Sequence, residues 1–148
     1  MSTTALSLLL ADDDIDDCLF FQEALEELNV SAKFAFVKDG VQLMQLLTEN
    51  DTALPDALFL DLNMPRKNGL ECLSEIKAID KLMNLPVIIY STSLNMEVVD
   101  LVYQKGANYY ICKPGNYGKI KEVISEAITL ISQNKSAQPA RDQFILHP

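Results

Sequence analysis

Positive charge is scarce in this chain: 12 Lys and Arg stand against 21 Asp and Glu, for a formal net charge of −9. Neutralising nucleic-acid phosphates takes a basic patch, so no direct nucleic-acid partner is expected, and the acidity itself reads as solubility. Long apolar runs are missing too. None approaches the roughly 20 residues needed to span a bilayer, so no membrane segment is expected. Residues Met1 to Ala5 lack a basic stretch followed by a longer apolar one, which does not resemble a secretion signal; a cytoplasmic location is the expectation. Cysteine is sparse, with Cys18, Cys72 and Cys112 only. An odd count without C-x-x-C spacing fits reduced, buried thiols better than disulfides or zinc ligands.

Hydrophobic residues make up 49% of the 148 and charged residues 22%, a composition that supports one domain with a real core and argues against disorder. Apolar strand-like runs alternate with amphipathic helical patterns, the signature of βα units around a parallel sheet covered on both faces. Strands are predicted near residues 6–11, 33–37, 57–61, 86–91 and 108–112, and helices near 15–29, 40–49, 69–80, 95–105 and 117–133. The fold class is α/β: a doubly wound, flavodoxin-like, five-stranded parallel sheet of order 2-1-3-4-5 with five helices. Asp39 and Gly40 punctuate the start of the second helix, Pro86 precedes the fourth strand, and Lys105-Gly106 reads as a helix C-terminus with the glycine as a left-handed cap. The domain is placed at residues 5–133. Residues 134–148, NKSAQPARDQFILHP, read as a flexible C-terminal tail with no output domain, in which Phe144 to Leu146 is a short apolar patch.

Polar residues stand at the C-terminal ends of four strand-like runs: Asp12 and Asp13 after Leu8–Ala11, Asp61 after Ala57–Leu60, Ser91 after Val87–Tyr90, and Lys113 after Tyr109–Cys112. An open parallel sheet binds ligands outside those ends, so residues distant in sequence converge there. Adjacent carboxylates repel and are forced towards protonation unless a cation lies between them, and a small set of hard oxygen ligands suits Mg²⁺. In the order 2-1-3-4-5 the first and third strands are neighbours, which brings Asp61 beside Asp12 and Asp13. Lys113 supplies a positive charge on a long stem. A carboxylate so placed can attack phosphorus, and Asp61 is the candidate acceptor. Asp14, Asp16 and Asp17 read as helix N-terminal caps.

The motifs ADDD after the first strand, FLDLNMPRKNGLE around Asp61, IIYSTS at the fourth strand and GANYYICKP at the fifth resemble the receiver domain of two-component response regulators, over roughly residues 5–133. The resemblance implies that Asp12, Asp13 and Asp61, with the backbone carbonyl of Asn63, hold Mg²⁺; that Asp61 takes a phosphoryl group; and that Ser91 and Lys113 contact its oxygens. Ser91 and the aromatic Tyr110 would form the switch pair, Pro114 would follow a cis peptide, and Asn63 and Ser93 would tune phosphoryl lifetime. Two departures stand out: Ser91 replaces the usual Thr, and GNYGKI follows Pro114 where a bulky apolar residue is common.

Such a module, of the single-domain type, receives phosphate from a sensor histidine kinase or phosphotransfer protein in a phosphorelay and signals to an unknown downstream protein by contact. It is not a conventional enzyme, its chemistry being limited to its own phosphorylation and dephosphorylation. The fourth helix carries more apolar side chains than one stripe needs (Met96, Val98, Val99, Leu101, Val102, Tyr103), which fits a partner surface or a phosphorylation-dependent homodimer. The alternatives are a pseudo-receiver that only binds partners, disfavoured because the acceptor set is whole, and an Mg²⁺-dependent phosphatase with an aspartate nucleophile. That phosphatase needs Asp-x-Asp on the first strand, whereas Asn63 follows Asp61 on the third. An FMN binder needs a phosphate-cradling first loop, which here is acidic. His147, the lone histidine, reads as an exposed terminal side chain.

Overall fold

The computed structural model describes residues 6–49, 53–134 and 137–147. Strands β1 (Leu6–Ala11), β2 (Ala32–Val37), β3 (Ala57–Leu60), β4 (Val87–Ser91) and β5 (Tyr109–Cys112) alternate with helices α1 (Ile15–Glu27), α2 (Gly40–Thr48), α3 (Gly69–Ala78), α4 (Met96–Gln104) and α5 (Tyr117–Asn134). All strand pairs are parallel, and a sixth strand, β6 (Ile145–Leu146), extends the order to β2-β1-β3-β4-β5-β6. Every strand and helix expected from the sequence is present, with no end displaced by more than two residues.

Alternation along β1 shows why these runs are strands buried on both faces. Leu8 and Leu10 join a cluster with Phe21, Tyr90 and Ile124 on the α1/α5 side, while Leu9 and Ala11 join Leu43, Leu73 and Val102 on the α2/α3/α4 side. Phe21 centres the first cluster, stacked on Phe34 at 5.2 Å and edge-on to Phe59 at 4.8 Å. Each such ring removes from water an area that stabilises the fold by roughly 1.5–3 kcal/mol.

Local chemistry sets the helix ends. Asp14 caps α1 by accepting the N–H groups of Asp16 and Asp17, and Asp39 caps α2 through the N–H of Gln42 at 2.8 Å. At the end of α4 Gly106 adopts φ +99°, its N–H reaching the Tyr103 carbonyl while Ala107 N–H reaches that of Val102, both at 3.0 Å. This is a Schellman closure, and the left-handed residue is the glycine the sequence pointed to. Helix α5 starts at Tyr117 despite the neighbouring Gly115 and Gly118, with the side chain of Asn116 accepting from Lys119 N–H at 3.3 Å.

The C-terminal segment departs from expectation. Residues 137–147 do not form a loose tail: a short 3₁₀ turn (Arg141–Gln143) leads into β6, whose Ile145 and Leu146 pair with Tyr110 and Ile111, and Phe144 is fully buried. The physical reason is the open edge of β5, which offers unpaired backbone groups and an apolar rim that a three-residue apolar run can cover. The sheet is thus six-stranded, not five-stranded. His147 is exposed as anticipated. Residue 5, at the expected domain start, and residues 135, 136 and 148 of the expected tail lie outside the described residues. Among the described residues no helix is long and apolar enough to cross a membrane.

Candidate phosphoryl and metal site

Register brings the polar residues to one edge. Ala11 pairs with Leu60 and Ser91 with Cys112, so the next residues, Asp12, Asp61 and Lys113, emerge together at the carboxyl ends of β1, β3 and β5. Backbone bonds carry the strands one residue further: Asp12 N–H to Val37 carbonyl at 3.0 Å, Asp61 N–H to Ala11 carbonyl at 2.9 Å, and Lys113 N–H to Ser91 carbonyl at 2.7 Å. The start of α3 is pressed against this edge. Gly69 N–H donates to the Leu62 carbonyl, and a Cβ on Gly69 would overlap the carbonyl oxygen of Asp61. Between them Arg66 holds φ +68°, an uncommon conformation for a side chain that also pairs with Asp39 at 3.3 Å.

Carboxylate oxygens of Asp12, Asp13 and Asp61 all lie within 4.8 Å of one another; Asp12 and Asp61 are buried and Asp13 is exposed. The Lys113 ammonium sits among them, 2.6 Å from Asp12 Oδ2, 2.7 Å from Asp17 Oδ2 and 3.5 Å from Asp61 Oδ2. Asp12 Oδ1 accepts Asp14 N–H at 3.0 Å, and Asp61 Oδ1 accepts Asn63 N–H at 3.3 Å. Asp12 Oδ2 is buried without a directed hydrogen bond, its lysine contact being an ion pair.

Burial dominates the electrostatics. It pushes Asp12 up to about 6 against the opposing pull of Lys113, and it raises Asp61 above the ordinary carboxylate range in the same way. Burial alone would depress Lys113, but its close pairing with Asp12 and Asp17 and the nearby charge of Asp61 raise it, so the ammonium is firmly held. The cluster carries more negative charge than one lysine balances. Hard oxygens at close range, one of them buried without a directed donor, are the donor set that suits a small divalent cation.

Ser91 is fully buried, its Oγ 3.4 Å from Ser93 Oγ and accepting Ser93 N–H at 3.4 Å, contacts weak enough for the hydroxyl to reorient. Tyr110 is also fully buried, with its hydroxyl donating to the Ser93 carbonyl at 2.6 Å. The Lys113–Pro114 peptide is trans, which corrects the cis bond implied by the resemblance; trans is the lower-energy isomer by roughly 0.5–1 kcal/mol for any X–Pro bond. The capping reading holds for Asp14 but is incomplete for Asp17, which also binds Lys113. Its third position in α1 was the available signal, because helical side chains lean back towards the N-terminus and hence towards the strand ends.

A doubly wound sheet with this acidic edge defines a class of signalling domain. The response regulator receiver domain matches residues 8–125, and the chain belongs to that family. It is 32% identical to the response regulator Rcp1 of Synechocystis sp. over 113 residues, covering 74% of this chain and 77% of Rcp1. With the chemotaxis protein CheY of Listeria monocytogenes it shares 27% over 113 residues, 76% of this chain and 93% of CheY. Among solved structures, the phosphorylated cyanobacterial phytochrome response regulator RcpA superposes with TM-score 0.79 at 30% identity, covering 93% of this chain and all of RcpA. The Mn²⁺-bound form of Rcp1 superposes with TM-score 0.77 at 28% identity, covering 91% and 99%.

Proposed function

We propose that this receiver domain accepts a phosphoryl group on Asp61 from the phosphohistidine of a sensor histidine kinase or phosphotransfer protein. The observation that carries the reading is the convergence of Asp61, Asp12, Asp13 and Lys113 at one sheet edge, with the carboxylates within 4.8 Å and the ammonium among them. A carboxylate oxygen of Asp61 attacks phosphorus; the new P–O bond forms as the P–N bond breaks, and the electron pair returns to the imidazole. Asp12, Asp13, Asp61 and the Asn63 carbonyl would hold a divalent cation, Mg²⁺ by the hardness of its ligands. Bound there, the cation supplies charge neutralisation for the incoming oxygens.

Lys113 holds the second positive charge for those oxygens and shares it among Asp12, Asp17 and Asp61 until the phosphoryl group arrives. Ser91 donates its hydroxyl to a phosphoryl oxygen, exchanging its weak contacts at Ser93 for a charge-assisted hydrogen bond. The added charge of about −1.5 to −2 is thereby read by two residues on two different strands. Signalling then proceeds by protein contact through the face of α4, beside the β5 edge that β6 covers, where Met96 (52%) and Leu101 (37%) are exposed apolar side chains. A phosphorylation-dependent homodimer through that face is one form such contact takes. The likeness to RcpA makes a phytochrome kinase the first donor to try.

Intact mass after incubation with Mg²⁺ and acetyl phosphate tests the reading. A single phosphoryl adduct is expected, absent with EDTA and absent from Asp61→Asn. An unmodified chain, or an adduct surviving Asp61→Asn, overturns the assignment.

A further inference from the structure

The C-terminal segment is fastened to the face through which the signal is proposed to leave. Gln138 Nε2 donates to the carbonyls of Tyr103 at 2.7 Å and Ala107 at 2.8 Å, Tyr103 Oη donates to the Pro139 carbonyl at 2.7 Å, and Arg141 pairs with Asp100 at 2.7 Å. Phe144 then fills the corner between α4 and β5. Its ring is edge-on to Tyr103 at 5.0 Å and 6.3 Å from Tyr110, while its carbonyl accepts the Tyr110 N–H at 3.0 Å. At its far end Tyr110 reaches the Ser93 carbonyl at 2.6 Å, two residues beyond Ser91. One continuous run of contacts therefore joins Phe144 to the loop that carries the site hydroxyl.

We propose that residues 137–147 act as a strap that holds Tyr110 inward, with Phe144 as the positioning residue, so that docking of the strap and occupation of the Asp61 site favour one another. This rests on the reading of Asp61 as the acceptor. While Phe144 is seated, its ring lies edge-on to the Tyr110 ring, whose hydroxyl is on the Ser93 carbonyl. That bond keeps the loop after β4 over the site, where Ser91 must act. Strand β6 is only two residues long and pairs with β5 alone, so it is an element whose docking responds to small changes in its support. Coupling between two sites is reciprocal: whatever the strap contributes to the occupied site, the occupied site returns to the strap.

Hydrogen exchange on the full chain, with and without beryllium fluoride and Mg²⁺ as a phosphoryl mimic, tests the coupling. Amides of residues 144–147 should exchange several-fold more slowly in the presence of the mimic. Phe144→Ala should weaken the mimic several-fold, with Phe144→Leu recovering part of the loss. Tyr110→Phe, which keeps the ring but not the bond to Ser93, should leave strap exchange in the free protein near that of the native chain and abolish its response to the mimic. Binding of the mimic with strap exchange unchanged would overturn the coupling alone. Failure of the mimic to bind, together with no acetyl phosphate adduct, would overturn the Asp61 reading and the coupling with it.

Discussion

Replacing Asp12 with Asn should strengthen the fold when no divalent cation is present. Asp12 is fully buried and its carboxyl is held at about 6, against 3.8 for the unfolded chain. Between those two values the unfolded chain gives up its proton and the folded one keeps it, so stability falls as pH rises from about 4 to about 6, and the full penalty is present at pH 7. At about 1.4 kcal/mol per pH unit of separation, the penalty is roughly 3 kcal/mol, an upper bound because Lys113 and Asp61 readjust when Asp12 is neutral. Asparagine removes that charge and keeps the shape. Lys113 retains Asp17 at 2.7 Å and Asp61 at 3.5 Å, so it is not stranded. Urea unfolding in EDTA at pH 5 and pH 7 should show Asp12→Asn more stable by roughly 1–3 kcal/mol at pH 7 and by clearly less at pH 5. Saturating Mg²⁺ should narrow or reverse the gap, since about 100-fold excess over Kd stabilises the native protein alone by about 2.7 kcal/mol. A destabilised Asp12→Asn in EDTA at pH 7, or a gap independent of pH, would refute the reasoning.

Gly69→Ala should destabilise the protein by roughly 1–3 kcal/mol and slow Asp61 phosphorylation, because the added methyl meets the Asp61 carbonyl and displaces α3 or the acceptor; urea unfolding and adduct formation over time check both halves. Thiol reactivity should separate the cysteines: Cys18 and Cys72 are fully buried, which pushes their thiols up to about 12 and about 11, while Cys112 is half-buried. An aromatic disulfide reagent should therefore label one thiol readily in the native protein and all three in urea.

The first five strands and all five helices were legible in the sequence because a sheet covered on both faces turns each strand into an apolar run, and the helices carry their own cap chemistry. Asp14, Asp39 and Gly106 are examples in which a local rule and the final geometry agree. The acidic edge was legible for a related reason: Asp12, Asp61 and Lys113 each follow a strand and Ser91 ends one, and the winding of the sheet alone brings strand ends together. Features set by tertiary neighbours were not. Asp17 follows a helix start and is explained locally as a cap, yet it meets Lys113 because α1 leans over the strand ends. Phe144 lies in a three-residue apolar run too short to signal a strand, and its burial depends on the corner supplied by Tyr103 and Tyr110.

Reductive trapping identifies the residue that takes the phosphoryl group, here proposed to be Asp61. Borohydride reduces an aspartyl phosphate to homoserine, so treating the protein after reaction with acetyl phosphate and Mg²⁺, then sequencing its peptides by mass spectrometry, reads out the acceptor. Homoserine is expected at position 61, and is expected to be absent when Mg²⁺ is chelated. Homoserine at Asp12 or Asp13 instead, or none in a protein that carries a phosphoryl adduct, would contradict the assignment.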